Sequence, residues 1–411
     1  MTIDMDKTFR NNLGTMKINT KSFLKILTII LIAGFILFYV LPDIFQSSTP
    51  DNNSTMILTT TKTDVPSVIS TPLPTSASIL STTASTIKTT PLAIIGPVVT
   101  PELNIDSTQL INRDFKWSYE GSDWNLTLQI PQGLYDYYKA LPRSPTSNYS
   151  IYVTHPLDDK YIEEIANKLL KTANDEGYDS FQTISFAAAF VQSLPYTSDL
   201  VTTGFDNYPR YPIETLVDNG GDCEDTAILA ASLIRALGYG TVLLRFDATV
   251  DRAGHVAVGV KGGEGIYGTS WTYEGDKYYY LETTSTGWEI GEIPDSVKDC
   301  SAYVYPMVAI PVLSHNWTTE VQSTTLQLNV TVQNLGSAAA KNIYVYAGFD
   351  AGNNQCWNHQ ESQLFDLDIN SSIVITLYMT PPSGEYTRLL VQTVYDGYSV
   401  YESYSDWYST H

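Results

Sequence analysis

One thiol stands out by position among the side chains able to do chemistry. Cys223 lies in Gly220-Gly221-Asp222-Cys223-Glu224-Asp225-Thr226-Ala227, where a glycine-rich loop runs into an apolar stretch. Ile228, Leu229, Ala230, Leu233, Ile234, Ala236 and Leu237 recur at helical spacing and stop at Gly238, which predicts a buried helix with Cys223 in its first turn. Asp222 suits the N-cap, and Asp225 three residues on approximates a capping box. Free backbone N–H groups and the positive end of the helix dipole favour a thiolate there. Asp222, Glu224 and Asp225 work against it, because like charge raises a thiol's pKa. The thiol therefore needs a cationic partner.

The chain offers five histidines, at 155, 255, 315, 359 and 411. His255 is the best placed: it follows Gly254 and opens the strand-like run His255-Val256-Ala257-Val258-Gly259-Val260. The next run, Tyr278-Tyr279-Tyr280-Leu281-Glu282-Thr283-Thr284, carries a single acid, and Glu282 could accept from the far imidazole nitrogen. Cysteine, histidine and carboxylate on a helix start and two strands meet the needs of a nucleophile, a base and an orienting group. The helix start at Asp222 and Cys223 is the expected oxyanion site, with the Cys223 backbone N–H as donor. Trp271, Tyr273 and Trp288 are candidate aromatic walls of a substrate cleft. Each residue has a plainer reading: a buried small hydrophobe for Cys223, a satisfied core histidine for His255, a solvated edge acid for Glu282, simple packing for the aromatics. No C-x-x-C or H-x-x-x-H spacing supports a zinc site at Cys223, His255 and Glu282, and no metal or cofactor is expected.

The cysteine-helix segment, Gly254-His255-Val256-Ala257-Val258 and Tyr280-Leu281-Glu282-Thr283-Thr284 together resemble the transglutaminase-like superfamily, in particular its microbial cysteine-proteinase-like members. The resemblance covers roughly residues 105 to 310. It implies a papain-like α+β core in which a helix-borne cysteine packs against an antiparallel sheet. It also implies Cys223 as nucleophile, His255 as base and Glu282 as third member. Glu282 departs from the family's more usual aspartate, one methylene shorter.

The elements that must position these residues can be read on either side. Phe115 to Tyr119 and Trp124 to Ile130 alternate around Glu120-Gly121-Ser122-Asp123, which predicts a hairpin. Ile162, Ile165, Ala166, Leu169, Leu170 and Ala173 form one helical stripe, and a second helix, apolar nearly all round, runs from about Gln182 to Leu194. A short helix is expected from about Pro212 to Val217. The polar, aromatic stretch from Tyr196 to Tyr211 before it reads equally as a cleft wall or a surface connection. Thr241 to Phe246 and the His255 and Glu282 runs are expected to make one sheet. Beyond Asn316, alternating strands around Leu326 to Val332, Ile343 to Phe349, Ile373 to Leu377, Leu389 to Tyr395 and Tyr398 to Tyr401 predict a β-sandwich. The segment Leu328 to Tyr344, with Asn334-Leu335-Gly336-Ser337, resembles the cell-adhesion-related immunoglobulin-like modules of microbial surface proteins.

The N-terminal end reads differently. Lys7, Arg10, Lys17, Lys21 and Lys25 precede an almost unbroken apolar run from Ile26 to Leu41 that extends through Ile44 and Phe45. Sixteen to twenty residues at about 1.5 Å each reach about 24 to 30 Å, enough for a bilayer. The basic flank belongs inside, so the rest is expected to be exported. The run is long for a cleaved signal peptide, and no small-x-small site follows it. Half of residues 47 to 90 are serine or threonine, interspersed with proline, a composition that cannot bury a core and reads as a stalk. The expected plan is 1–25 cytoplasmic, 26–45 one transmembrane helix, 46–104 disordered stalk, 105–314 transglutaminase-like domain and 315–411 β-sandwich. The localisation to match is a single-pass cell-membrane protein with extracellular C-terminal domains.

Composition narrows the classes further. The 411 residues are 43% hydrophobic and carry a formal charge of −21, which makes nucleic acid an unfavourable partner. Three cysteines exclude a disulfide scaffold; if Cys223 stays free, Cys300 and Cys356 are the only pair available. Seven Asn-x-Ser/Thr sites, at Asn52, Asn53, Asn125, Asn148, Asn316, Asn329 and Asn370, all follow the apolar run, as an exported glycoprotein requires. The expected activity is acyl transfer on a peptide or side-chain amide, as peptidase, amidase or transglutaminase. The expected partner is a protein or peptide, including a cell-envelope component. The alternative is a catalytically silent recognition or adhesion module displayed on a stalk.

Overall fold

Alternating large apolar residues build the hairpin that opens the α/β half. Strands β1 (Leu110–Tyr119) and β2 (Ser122–Pro131) pair in register from Leu110 with Pro131 to Tyr119 with Ser122, and the turn uses left-handed backbone at Glu120 and Gly121. Phe115, Trp117, Trp124, Leu126, Leu128 and Ile130 all point into the core. The computed structural model describes residues 3–8, 93–103, 109–204, 207–263, 266–352 and 355–410. The expected span 26–45 lies outside the described residues, and among those described no helix is long and apolar enough to cross a membrane.

Five helices of seven residues or more follow: α1 (Gln132–Ala140), α2 (Asp159–Glu176), α3 (Ser180–Gln192), α4 (Pro212–Asp218) and α5 (Cys223–Ala236). Helix α2 buries the predicted stripe Ile162, Ile165, Ala166, Leu169 and Ala173 and ends on Gly177 in left-handed backbone. Helix α3 begins two residues before its predicted start because Asp179 and Gln182 close a capping box. Helix α1 was not expected: its tyrosines and internal Gly133 give no clear apolar period, and burial of Leu134 and Tyr138 holds it in place. Helix α5 packs on α2, α3 and the sheet, and Ala227, Ile228, Leu229, Ala230, Leu233 and Ile234 are buried.

The sheet behind α5 is antiparallel, in spatial order β5 (Ser270–Tyr273), β6 (Asp276–Leu281), β4 (His255–Lys261), β3 (Thr241–Phe246) and β7 (Tyr303–Pro306). Both faces are apolar. Leu243, Val256, Val258, Val260 and Leu281 join the helical core, whereas Val242, Leu244, Phe246, Ala257 and Tyr280 form a second cluster with Val297. His255 pairs with Phe246 and so belongs to the Phe246, Ala257, Tyr280 face.

The C-terminal half has its own core, built from Leu328, Val330, Val332, Ile373, Ile375 and Leu377 of one sheet and Val345, Ala347, Phe349 and Val391 of another, so the two sheets face each other as a sandwich. Its first strand, Leu313–Gln322, is too polar to be read from sequence and is specified by its pairing with Thr325–Asn334. Asn334 is fully buried: its amide oxygen accepts from Val312 N and Gly336 N, and its nitrogen donates to the Ala338 carbonyl. That locks the Asn334-Leu335-Gly336-Ser337 turn, and a Cβ on Gly336 would lie 2.3 Å from the Ile310 carbonyl oxygen. Both halves fall in one compact unit.

Two expectations are corrected, within 46–104 and at Glu282, and the one cysteine pair available is unbridged. Ile94–Ile95 pairs with the sandwich strand Ser372–Met379, so an ordered edge lies inside the 46–104 segment read as stalk; two β-branched residues complete a sheet there. Cys300 and Cys356 are both free, with no bridge between them. Glu282 lies just past the end of its strand instead of within it. A strand at Ile3–Thr8 also pairs with β2.

Candidate active site

The two glycines before Cys223 are there for space. A Cβ on Gly220 would lie 2.6 Å from the Pro195 carbonyl oxygen, and one on Gly221 would lie 2.4 Å from Asp225 Cβ. The loop therefore presses against Pro195–Thr197, where Thr197 N donates to the Gly221 carbonyl at 2.9 Å. Asp222 is the N-cap in extended backbone, and Asp225 reaches back to accept its N–H at 3.2 Å. Cys223 is the first helical residue, as expected.

Arg210, fully buried, organises the loop that precedes it. Its guanidinium pairs with Asp199 at 2.7 Å, Asp218 at 3.1 Å and closely with Asp225, and its backbone N–H donates to Asp225 Oδ1 at 2.7 Å. Burial works against a charged guanidinium, but Asp225 and Asp199 hold its pKa above the usual range. Nothing in the local sequence ties Arg210 to acids 11 and 15 residues away. The stretch from Tyr196 to Tyr211 is thus bound to the cysteine loop at both ends.

His255 and Glu282 come together. The ring Nε2 lies 3.0 Å from Glu282 Oε2 and 3.1 Å from the Tyr280 hydroxyl, which itself donates to Glu282 Oε2 at 2.7 Å. The other oxygen, Oε1, accepts from Thr283 N, Thr284 N and Thr284 Oγ1, at 2.7 to 3.1 Å. Burial alone would raise this carboxyl; the His255 ring, Tyr280 and Thr284 instead hold it down at about 2. A carboxylate in that state fixes the Nε2–H tautomer and leaves Nδ1 as the basic nitrogen. The extra methylene of glutamate is accommodated, since Oε2 reaches the ring. Tyr280 was the signal missed: two residues apart in an extended run, Tyr280 and Glu282 share a face.

A hydroxyl pair braces the cysteine to this acid: Thr226 Oγ1 and Thr283 Oγ1 lie 2.9 Å apart, one turn on from Cys223 and next to Glu282. The sulfur meets the Val256 N–H at the opening of the histidine strand. Its own proton, however, goes to Glu224 Oε2 at 3.2 Å, and among the described residues no hydrogen bond joins Sγ to the His255 ring. Burial, the Glu224 and Asp222 charges and the bond to Glu224 push the thiol well above its ordinary value, with Val256 N–H opposing. Asp222 is itself raised to about 8, first by burial and then by the neighbouring Glu224. Burial and the adjacent acids therefore oppose ionisation of the thiol in this arrangement.

Asp222, Cys223 and Glu224 set three potential ligand atoms within 4.8 Å of one another, as do Asp199, Asp222 and Asp225. Arg210 pairs with Asp199 and Asp225 of the second set, and the thiol of the first donates to Glu224. The expected cleft walls are dispersed. Trp271 packs edge-on against Phe246, 5.6 Å between centroids, and so belongs to the apolar cluster under the sheet. Trp288 lines a cavity of about 290 Å³ with Tyr119, Phe181 and Gln192. Tyr273 is half-buried at the edge strand. Nearer the sulfur stand Tyr149 and Tyr196, whose pKa values are raised first by burial and in part by the Cys223 charge.

No protein-family model and no curated protein matches the chain. Solved structures do resemble it. Legionella pneumophila LapG is 16% identical, with 40% of this chain and 86% of that chain covered at a TM-score of 0.27. Red sea bream transglutaminase is 12% identical, with 72% of this chain and 61% of that chain covered at a TM-score of 0.22. The chemistry of the site follows from its own geometry.

Proposed function

We propose that the chain is a cysteine-dependent acyl-transfer enzyme acting on peptide or side-chain amides, with Cys223 as nucleophile, His255 as base and Glu282 as orienting acid. The observation that carries this is the saturated Glu282 carboxylate on His255 Nε2, which leaves Nδ1 free to act beside the strand opening where Val256 N–H meets the sulfur. His255 Nδ1 takes the Sγ proton, the sulfur attacks the amide carbonyl, and the imidazolium returns that proton to the leaving amine, giving a thioester and a free amine. Water or a second amine then attacks the thioester, His255 removing its proton and returning one to sulfur. The Cys223 backbone N–H is the oxyanion donor in this reading. The thiol must turn from Glu224 to the imidazole for the first step.

That turn is also what favours a second reading, a silent recognition module, because the resting thiol is paired with Glu224 and shifted upward. Alkylation by iodoacetamide, followed from pH 5 to 10 in a Cys300→Ser, Cys356→Ser background, separates the two. Modification at neutral pH that is lost in His255→Ala supports the enzyme. A thiol that reacts only at high pH, equally with and without His255, supports the module.

The location that goes with this proposal is the cell membrane, with residues 26–45 as anchor, the N-terminus cytoplasmic and the rest outside. A protein or peptide substrate at the cell envelope fits that location. The pairing of Ile3–Thr8 with Ser122–Pro131 and an inward-facing flank exclude each other in one molecule. An impermeant maleimide applied to intact cells expressing Thr8→Cys in a Cys223→Ala, Cys300→Ser, Cys356→Ser background decides: protection supports the anchor, labelling overturns it.

A further inference from the structure

Two acids flank Cys223 without a counter-ion. Cys223 Sγ donates to Glu224 Oε2 at 3.2 Å, and one side-chain atom each of Asp222, Cys223 and Glu224 lie within 4.8 Å of one another. Glu224 is buried, and Asp222 Oδ1, also buried, has no hydrogen-bond partner. Among the described residues no lysine, arginine or histidine forms an ion pair with either acid; Arg210 serves Asp199, Asp218 and Asp225 instead. By contrast, buried Glu214 meets Arg143 at 2.6 Å and buried Glu282 meets His255 at 3.0 Å. Carboxyls withdrawn from water without a counter-charge are costly, and an incoming positive charge relieves that cost.

A ring stands beside them. Tyr196 bridges to Gly221, Thr197 N donates to the Gly221 carbonyl at 2.9 Å and Gly221 N to that of Pro195 at 3.4 Å, so the backbone carrying the ring is fixed to the cysteine loop. Burial first, then the charges of Cys223, Asp222 and Glu224, push the Tyr196 hydroxyl up to about 12, as a ring within electrostatic reach of the sulfur and both acids requires. The residue is 58% exposed, and among the described residues no other ring, ammonium or guanidinium lies against it. A bare aromatic face beside carboxyls is an environment that recognises an ammonium or guanidinium. A neutral group would leave the acids unmatched, and an anion would be repelled by them. A cation held there also acts on the sulfur: it competes for Glu224 Oε2, which frees the thiol to turn to His255 Nδ1, and it offsets the charges that oppose a thiolate.

Resting on the thiol chemistry proposed above, we infer that the site selects peptide substrates with lysine or arginine at the reacting amide, the cation held by Asp222, Glu224 and the Tyr196 ring. The test uses the full chain with Cys300→Ser and Cys356→Ser, in mild detergent and EDTA so that no metal ion supplies the charge. Rates of Cys223 modification by 2-aminoethyl, 2-hydroxyethyl and 2-sulfonatoethyl methanethiosulfonate are each divided by the rate with 2-mercaptoethanol, in about 0.5 M salt, where distant surface charge is screened. The aminoethyl reagent should be favoured about tenfold or more over the hydroxyethyl one, and the sulfonate disfavoured. Peptidyl chloromethyl ketones ending in lysine, norleucine or glutamate, read as the Cys223 adduct by mass spectrometry, should follow the same order. Glu224→Gln combined with Asp222→Asn should bring the preference to within about twofold, Tyr196→Leu should lower it about threefold, and Tyr196→Phe, which keeps an aromatic face, should retain it. A charge preference absent from either series, or unchanged in the double variant, overturns the inference. If iodoacetamide alkylation still depends on His255 in that case, the enzyme reading stands without it; alkylation indifferent to His255 brings down both.

Discussion

The two halves of the molecule spend burial differently. Among the described residues, the buried acids Asp158, Asp199, Glu214, Glu224, Asp225 and Glu282 and the buried Arg210 all lie in the α/β half, whereas the sandwich buries no acid, lysine or arginine. Its buried polar groups, such as Asn334, His315 and Thr393, are neutral and serve turns and strand edges. Burying charge is costly unless every partner is in place. A fold carries that cost where geometry matters more than stability, and here five of the seven, Asp199, Arg210, Glu224, Asp225 and Glu282, belong to the cysteine loop and helix start or to the groups that brace them and His255.

Six substitutions break or sharpen this contrast. The largest effect expected is from Cys223→Ala: thioester formation on a casein substrate, trapped with an amine dye, falls to background, while the thermal midpoint hardly moves. Residual dye incorporation at wild-type rate would exclude Cys223 as nucleophile. Next comes Arg210→Met, which strands Asp199 and Asp225 and should cost about 3–5 kcal/mol in denaturant unfolding. Val330→Ala in the sandwich core should cost about 1–3 kcal/mol and leave the thiol's alkylation rate alone. Should the two variants shift thiol reactivity equally, the division of labour fails.

Glu282→Gln is expected to lower the rate constant for acylation about a hundredfold, because an amide can present the wrong group to Nε2–H. Stability should respond to acid in a defined window. Glu282 is depressed to about 2, so the stability it supplies is complete above about pH 4.5 and is lost as pH falls toward 2. Acid titration of Glu282→Gln should lack that component. The smallest effect is at Glu224→Gln, which removes a charge and leaves the thiol proton only a neutral amide oxygen as acceptor. The thiol pKa should fall and alkylation at pH 7 should rise severalfold; no rise would mean that burial alone controls the sulfur. Asp222 has the opposite linkage to Glu282. Its pKa is raised to about 8, so it costs stability increasingly between pH 4 and 8, and Asp222→Asn should flatten that decline.

What could be read from the sequence was local. Helix α5 and its cap, the hairpin at Gly121 and the strand opening at His255 follow from period, cap and turn residues within a few positions. The Glu282 partner needed only the assumption of adjacent strands. Arg210 was hidden because its acids are scattered, and the choice of Glu224 over His255 by the thiol depends on a side-chain rotation that no pattern encodes. Asn370 shows the limit of a motif. It was counted as a glycosylation site, yet its amide nitrogen donates to the Tyr137 hydroxyl and to His155 Nε2, both at 3.0 Å, at the junction between the two cores.

That amide has a consequence for biogenesis. A sugar joined to Asn370 while the chain is still emerging would occupy the very nitrogen that later fastens the sandwich to the first half, so enzymatic decoration and correct docking compete for one atom. Whichever happens first decides the fate of the molecule, and fast closure of the junction would keep this sequon bare even in a compartment that modifies the others.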